Sequence, residues 1–243
     1  WQIKEFPNNP YAVKEPKGWI AGALYLGMYD WAELSGEEEY FNWLKKVFNR
    51  QYWQVADRMY HADDVCVSQT YIDMYNKYKE EKMLLPTLAR IDWVINNPSK
   101  GGLDIDYSKP LSYERWSWCD ALFMAPGGYT RLYTLTGNKK YMIFADAEFK
   151  ATYNHLYDKE EHLFFRDSRY FSQKEANGKK VFWGRGNGWV IGGLAEILKT
   201  LPENDTEYRP FYLQLFRELS ERLAGLQNKD GFWHASLLDP DSY

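Results

Sequence analysis

The chain has 243 residues and a formal net charge of −4, a length that suits one domain or two small ones. No window approaches the ~18 unbroken apolar residues of a membrane span, and no N-terminal apolar stretch reads as a signal peptide. The acidic balance argues against a nucleic-acid partner; the two cysteines and four scattered histidines have neither metal-site nor disulfide-framework spacing, so no metal or cofactor is expected.

Residues 1–17 are rich in Pro and Asn and read as an irregular lead-in. From Trp19, the positions Leu24, Met28 and Trp31 share a helical face that stops at Ser35-Gly36. Glu37 to about Arg50 reads as a second helix through Phe41, Leu44 and Phe48. His61-Ala62-Asp63-Asp64 opens a third, with Tyr71, Met74, Tyr75 and Tyr78 at helical spacing. Glu81 to Asn96 reads as a fourth, stopped by Asn97-Pro98. After a loop over 99–113, Asp120–Leu135 and Lys139–Leu156 make another pair. Within 157–184, Leu163-Phe164-Phe165 and Val181-Phe182-Trp183 read as short strands about an Asn177-Gly178 turn. Trp189–Leu201 and Pro210–Leu226 are the last helices, before a terminal stretch of turn and loop.

A short turn followed by a charged helix start recurs at Ser35–Tyr40, Thr136–Tyr141 and Pro202–Tyr208. Each joins an apolar inner-type helix to a more charged one. The fold class is therefore all-α: an array of about eight helices in hairpins, none able to bury its face alone. A closed ring usually has more pairs, so the chain reads as a fragment. Eleven Trp and 20 Tyr suit stacking on sugar rings, although large cores use them too.

Three segments precede inner helices: His61–Asp64, Trp116–Asp120, and Trp183-Gly184-Arg185-Gly186-Asn187-Gly188-Trp189. In a hairpin ring these starts gather at one end of a central funnel. Asp120 enters an apolar run directly after two indoles. It is read either as a helix N-cap or as an acid in a partly dry pocket, its pKa raised by desolvation. The glycine string lacks the spacing of either phosphate-binding motif. It reads as a close-approach loop whose free N–H groups, with Arg185, receive a carboxylate, flanked by Trp183 and Trp189.

Together, His61–Tyr71, Trp118–Ala125 and Trp183–Trp189 resemble the unsaturated glycuronyl hydrolases. The likeness is closest to the unsaturated rhamnogalacturonyl hydrolases of glycoside hydrolase family 105, near family 88, and runs from about Trp19 to the last residue. The resemblance implies an (α/α)6 barrel of twelve helices, of which this single domain, 1–243, would lack roughly one at the front and three at the back. It also implies the substrate: an oligosaccharide made by a polysaccharide lyase, of pectin or rhamnogalacturonan type, with a C4=C5 double bond in its non-reducing-end uronic acid. An acid protonates C4, water adds at C5, and the glycosidic bond then breaks without attack on the anomeric carbon.

By the motif, Asp120 is that acid, and the second acid falls in the Asp63-Asp64 pair, with Asp63 favoured; one of the two can be the cap of its helix. Arg185, Trp183, Trp189, Trp116, Trp118, His61, Gln69 and Met124 are the candidate substrate-binding residues. Core packing is an equal reading for Trp116 and Trp118, and Trp19, Trp31 and Trp93 read as core. Where some members carry a histidine, this chain has Phe164-Phe165-Arg166-Asp167, and Arg166 reads evenly as anion ligand or surface charge. No membrane or nucleic-acid partner is expected. The compartment, cytoplasm or periplasm, and the oligomeric state stay open. The alternatives are an inverting glycosidase, whose carboxyls stand about 6.5–9.5 Å apart, and a non-catalytic carbohydrate-binding ring.

Overall fold

The stops read at Ser35-Gly36 and Thr136-Gly137 are where the chain turns. Gly36 and Gly137 take φ of +70° and +68°, and their N–H groups close the preceding helices on the carbonyls of Ala32 and Tyr133. Glycine enters this left-handed region without a side-chain penalty.

The structure is a computed structural model that describes residues 2–8 and 14–242. Among them run eight helices of 11 to 18 residues. They are α1 (Trp19–Ser35), α2 (Glu38–Arg50), α3 (Ser68–Tyr78), α4 (Leu85–Asn96), α5 (Pro126–Thr136), α6 (Lys139–Leu156), α7 (Gly184–Thr200) and α8 (Arg209–Leu226). The pairs α1/α2, α5/α6 and α7/α8 pack as hairpins. Helices α1, α3, α5 and α7 form an inner row, each against the next, with α4 against α6 outside it. Two motif segments precede the N-terminal ends of α3 and α5, and the third forms the N-terminal turn of α7.

Two apolar clusters fill the space. One joins α1 and α2 to Trp53 and Tyr71, and the larger runs from Ala62 to Leu237; Tyr75 of α3 packs on both. Trp31 and Trp93 are not core residues. They are 51% and 42% exposed and lean on Tyr40 and Tyr60.

Several boundaries differ from the sequence reading, each for a local reason. The lead-in contains a helical turn, Gln2–Glu5, and a 3-10 turn, Phe6–Asn8; residues 1 and 9–13 of that stretch lie outside the described residues. Ala62–Val65 and Glu81–Met83 are separate 3-10 turns before α3 and α4. The run from Asp120 to Leu135 is broken: Ala121–Met124 is a single helical turn, and α5 starts afresh at Pro126, which has no N–H to continue the ladder. Leu163-Phe164 is a strand (β2), but its partner is Tyr157-Asp158 (β1). The Asp158 side chain accepts the N–H groups of Glu160 and Glu161, and His162 turns at φ 53°, so the hairpin closes before Asn177-Gly178 is reached. Trp183 bridges Ser236 instead.

Candidate active site

Adjacent in sequence, Asp63 and Asp64 have different surroundings. The Asp64 carboxylate is buried and accepts from Arg58 three times: from N at 2.6 Å, Nε at 2.9 Å and Nη2 at 2.5 Å. Its carbonyl also takes the N–H of Ala56 at 3.0 Å. Asp64 is thus a bracket for the loop that delivers the motif. Neither aspartate caps the turn: His61 does, its Nδ1 accepting from the Asp63 N–H at 3.3 Å.

Among the described residues no side chain donates a hydrogen bond to the Asp63 carboxylate; Arg58 Nη2 stands at 3.9 Å. Burial pushes its pKa up to about 7, with the charges of Asp120 and Asp64 adding to the rise and Arg58 opposing it. Burial and the Arg58 charge push His61 down to about 4. A neutral ring whose Nδ1 accepts a hydrogen bond forms no ion pair, so the 3.7 Å approach to Asp63 is a contact between an acid and a neutral imidazole.

Asp120 occupies the N-cap position of the Ala121–Met124 turn, yet its side chain makes no capping bond. The cap reading does not hold. Among the described residues the one side chain that donates to its carboxylate is the Cys119 thiol, to Oδ2 at 3.4 Å. Burial raises its pKa, while Cys119, Arg166 and Arg185 hold it down. The Cys119 N–H donates to the Arg166 carbonyl at 2.8 Å, which ties the acid's own segment to the stretch after β2 that carries Arg166.

Two guanidiniums flank Trp183, Arg185 at 4.3 Å and Arg166 at 5.5 Å from the ring centre. Arg166 also donates to Tyr170 at 3.3 Å and lies 3.8 Å from the buried Asp167, whereas Arg185 has no carboxylate partner among the described residues. The glycine string is the first turn of α7 and not a loop. The Gly184 N–H is taken by the Ala235 carbonyl, leaving those of Arg185 and Gly186 without a bond among the described residues. A side chain at Gly186 would sit 2.8 Å from Cys119 Sγ, so this glycine lets α7 close on the Asp120 segment.

The expected constellation is partly assembled. His61 packs on Trp118 at 4.7 Å, Asp63 feels Asp120, and Asp120 feels Arg166 and Arg185 beside Trp183. Trp189 lies between Trp19 and Phe123, with a buried Nε1 that has no partner. Three expected binding residues are instead buried in the protein. Trp116 packs with Tyr129 and Phe144, Met124 is sealed in the core, and Gln69 is bonded to backbone and to Arg131. Sequence reasoning missed Arg58 and Arg131. Their partners are fixed by tertiary contact, and no motif spacing announces them.

The sequence profile of glycosyl hydrolase family 88 matches residues 1–243. The chain belongs to that family. Two family relatives carry the name unsaturated 3S-rhamnoglycuronyl hydrolase. The one from Alteromonas sp. (strain LOR) is 35% identical over 99% of this chain and 62% of its own length; the one from Formosa agariphila is 39% identical over 97% and 64%. The chain thus spans less than two thirds of the length of each. Among solved structures, a glycosyl hydrolase family 88 protein from Bacteroides vulgatus superposes with a TM-score of 0.84 at 25% identity, covering 98% of this chain and 71% of the other. A structure titled a polysaccharide lyase gives 0.81 at 28%, over 98% and 69%. The fold is that of the family's (α/α)6 barrels, mostly helical with one two-stranded sheet. No described helix is long and apolar enough to cross a membrane.

Proposed function

We propose that the protein hydrolyses oligosaccharides ending in a C4=C5-unsaturated uronic acid, by hydrating that double bond. One observation carries the reading: Asp63 and Asp120 are both desolvated acids with raised pKa, neither hydrogen-bonded to a cationic side chain among the described residues, beside an Arg185 that has no carboxylate partner among them. A conventional binder needs aromatic platforms and no such acids. The substrate carboxylate pairs with Arg185, and with Arg166 across Trp183. That pairing neutralises the two charges that depress Asp120, so binding itself raises the pKa of the acid.

Asp120 then gives its proton to C4, and water adds at C5 as its own proton returns to a carboxylate of the pair. The hemiketal opens to a ketone, leaving a hemiacetal at C1 that releases the neighbouring sugar. No atom of the anomeric centre is attacked. Family membership and the names of the two relatives support an unsaturated glycuronyl substrate linked to rhamnose.

The test is optical. With an unsaturated uronyl disaccharide, the ultraviolet absorbance of the conjugated double bond is expected to fall as the product forms. An inverting glycosidase would first release a sugar that still absorbs, and the absorbance would fall only afterwards, as the freed hemiacetal opens to an enol and tautomerises to the keto acid, so its loss would lag sugar release; a binding ring would do neither. The lyase named among the structural neighbours sets the opposite sign, since elimination on an intact polyuronate makes absorbance rise.

A further inference from the structure

We propose that Gln69 and Arg131 are positioning residues for Asp120, reaching it through the carbonyl end of its helical turn; the inference rests on the reading of Asp120 as the acid. The Ala121–Met124 turn is too short to hold itself, and Pro126 ends its ladder. In an unbroken helix the carbonyls of Phe123 and Met124 would accept from residues 127 and 128. Here Gly128 donates to Ala125 instead, and both carbonyls accept from one side-chain amide, Gln69 Nε2, at 3.1 and 3.4 Å. The N–H groups of the same two residues donate to the Asp120 carbonyl, at 3.0 and 3.3 Å. A shift of peptides 123 and 124 is therefore passed directly to Asp120.

The amide can serve only one way round. Gln69 Oε1 accepts from Arg131 Nη1 at 3.1 Å, which turns Nε2 toward the two carbonyls. Arg131 is itself fixed on every side. Its Nε donates to both oxygens of Asp73 at 2.9 Å, its Nη1 to the Gly127 carbonyl at 3.3 Å, and its Nη2 to Glu196 at 2.5 Å. The guanidinium is 4% exposed, between α3, α5 and α7. A side chain at Gly127 would collide with Gln69 Oε1, so the close approach needs that glycine. Three inner helices thus meet on one arginine, which orients one amide, which holds the turn of the acid.

The experiment uses Gln69→Met, near in volume and uncharged, so that no new charge acts on Asp120 or on the Asp63, Cys119, Arg166 and Arg185 groups that face it. Leu219→Ala, a core truncation in outer helix α8, is the stability control. Two quantities are measured in the full protein: kcat and KM on the unsaturated disaccharide, and the carbon-13 NMR titration of the Asp120 carboxyl. In Gln69→Met the turn relaxes toward water. Its kcat is expected to fall at least tenfold with KM within about twofold, and the Asp120 midpoint to drop by half a pH unit or more. Leu219→Ala should lower Tm and leave both readouts at wild-type values. Should Gln69→Met not fold, Arg131→Lys keeps the cation between Asp73 and Glu196 but loses the fork, and the same two shifts are expected. A Gln69→Met or Arg131→Lys protein with kcat within twofold and an unmoved midpoint overturns the proposal. A wild type that leaves the double bond intact, with the midpoint still moving in the variants, rejects the proposed reaction and keeps the positioning role.

Discussion

Neighbouring aspartates, one residue apart, have opposite duties. Asp64 is committed to Arg58 by three hydrogen bonds, while Asp63 has none from any described side chain. Losing one acceptor of a buried charge-assisted set costs roughly 1–3 kcal/mol. Asp64→Asn is expected to lose about that much stability, measured by urea unfolding at constant pH. Asp63→Asn and Asp120→Asn keep volume but remove the titrating proton, and general acid–base catalysis is commonly worth ~10²–10⁴-fold. Both should cut kcat/KM by about two decades or more with no loss of stability. The reverse pattern, with Asp64→Asn slow and stable and Asp63→Asn less stable but still active, would exchange their roles. This division is invisible in the sequence, because Arg58 sits in a loop of mixed polar and apolar residues with no motif spacing that ties it to Asp64. The nomination of Asp63 over Asp64 came from motif alignment alone.

Glycines decide how the elements approach, and their signs differ. In an exposed helix interior, Gly→Ala stabilises by about 0.5–1 kcal/mol. Gly27 of α1 is exposed, with nothing within 4 Å of an added Cβ, so Gly27→Ala should gain roughly that amount. Gly193 of α7 is buried against the Leu122 carbonyl in the Asp120 turn, and an added Cβ would overlap that oxygen. Overpacking typically costs about 1–3 kcal/mol, which exceeds the helix gain. Gly193→Ala is expected to lower Tm where Gly27→Ala raises it; equal shifts of one sign would remove the close-approach account. The same elements mark what was legible. Helix-stopping glycines at 36 and 137 were readable, because left-handed backbone is a local demand. The start of α7 at Gly184 is not, since a glycine-rich stretch has weak helix propensity and it is tertiary packing on Cys119 and Ala235 that fixes it as a helix. The break at Pro126 is a plain sequence signal, masked by an apolar run that continues on both sides.

Three inner helices, α3, α5 and α7, meet on Arg131, and the segments at their N-terminal ends present the acids and guanidiniums. Assembling those segments buries groups that titrate near neutrality, so folding and pH are linked there. Asp63 rises from 3.8 to about 7 on folding: the folded state holds its proton to higher pH, and its contribution to stability, full below pH 4, is lost as pH rises to 7. His61 falls from 6.5 to about 4: its contribution is full above 6.5 and lost as pH falls to 4. Each pH unit of separation is worth about 1.4 kcal/mol, so the two groups change stability at similar rates in opposite directions between pH 4 and 6.5. Wild-type stability should therefore vary little with pH from this pair, and each single variant should uncover the other's slope. Relative to wild type, Asp63→Asn is expected to become more stable as pH rises from 4 to 7. His61→Asn keeps an oxygen that can cap Asp63 N–H, and should become less stable relative to wild type as pH rises from 4 to 6.5. Urea unfolding at half-unit pH steps gives both curves. Two difference curves that stay flat, or that slope the same way, would mean that Asp63 is solvated and that the paired burial at the N-terminal ends of the inner helices does not exist.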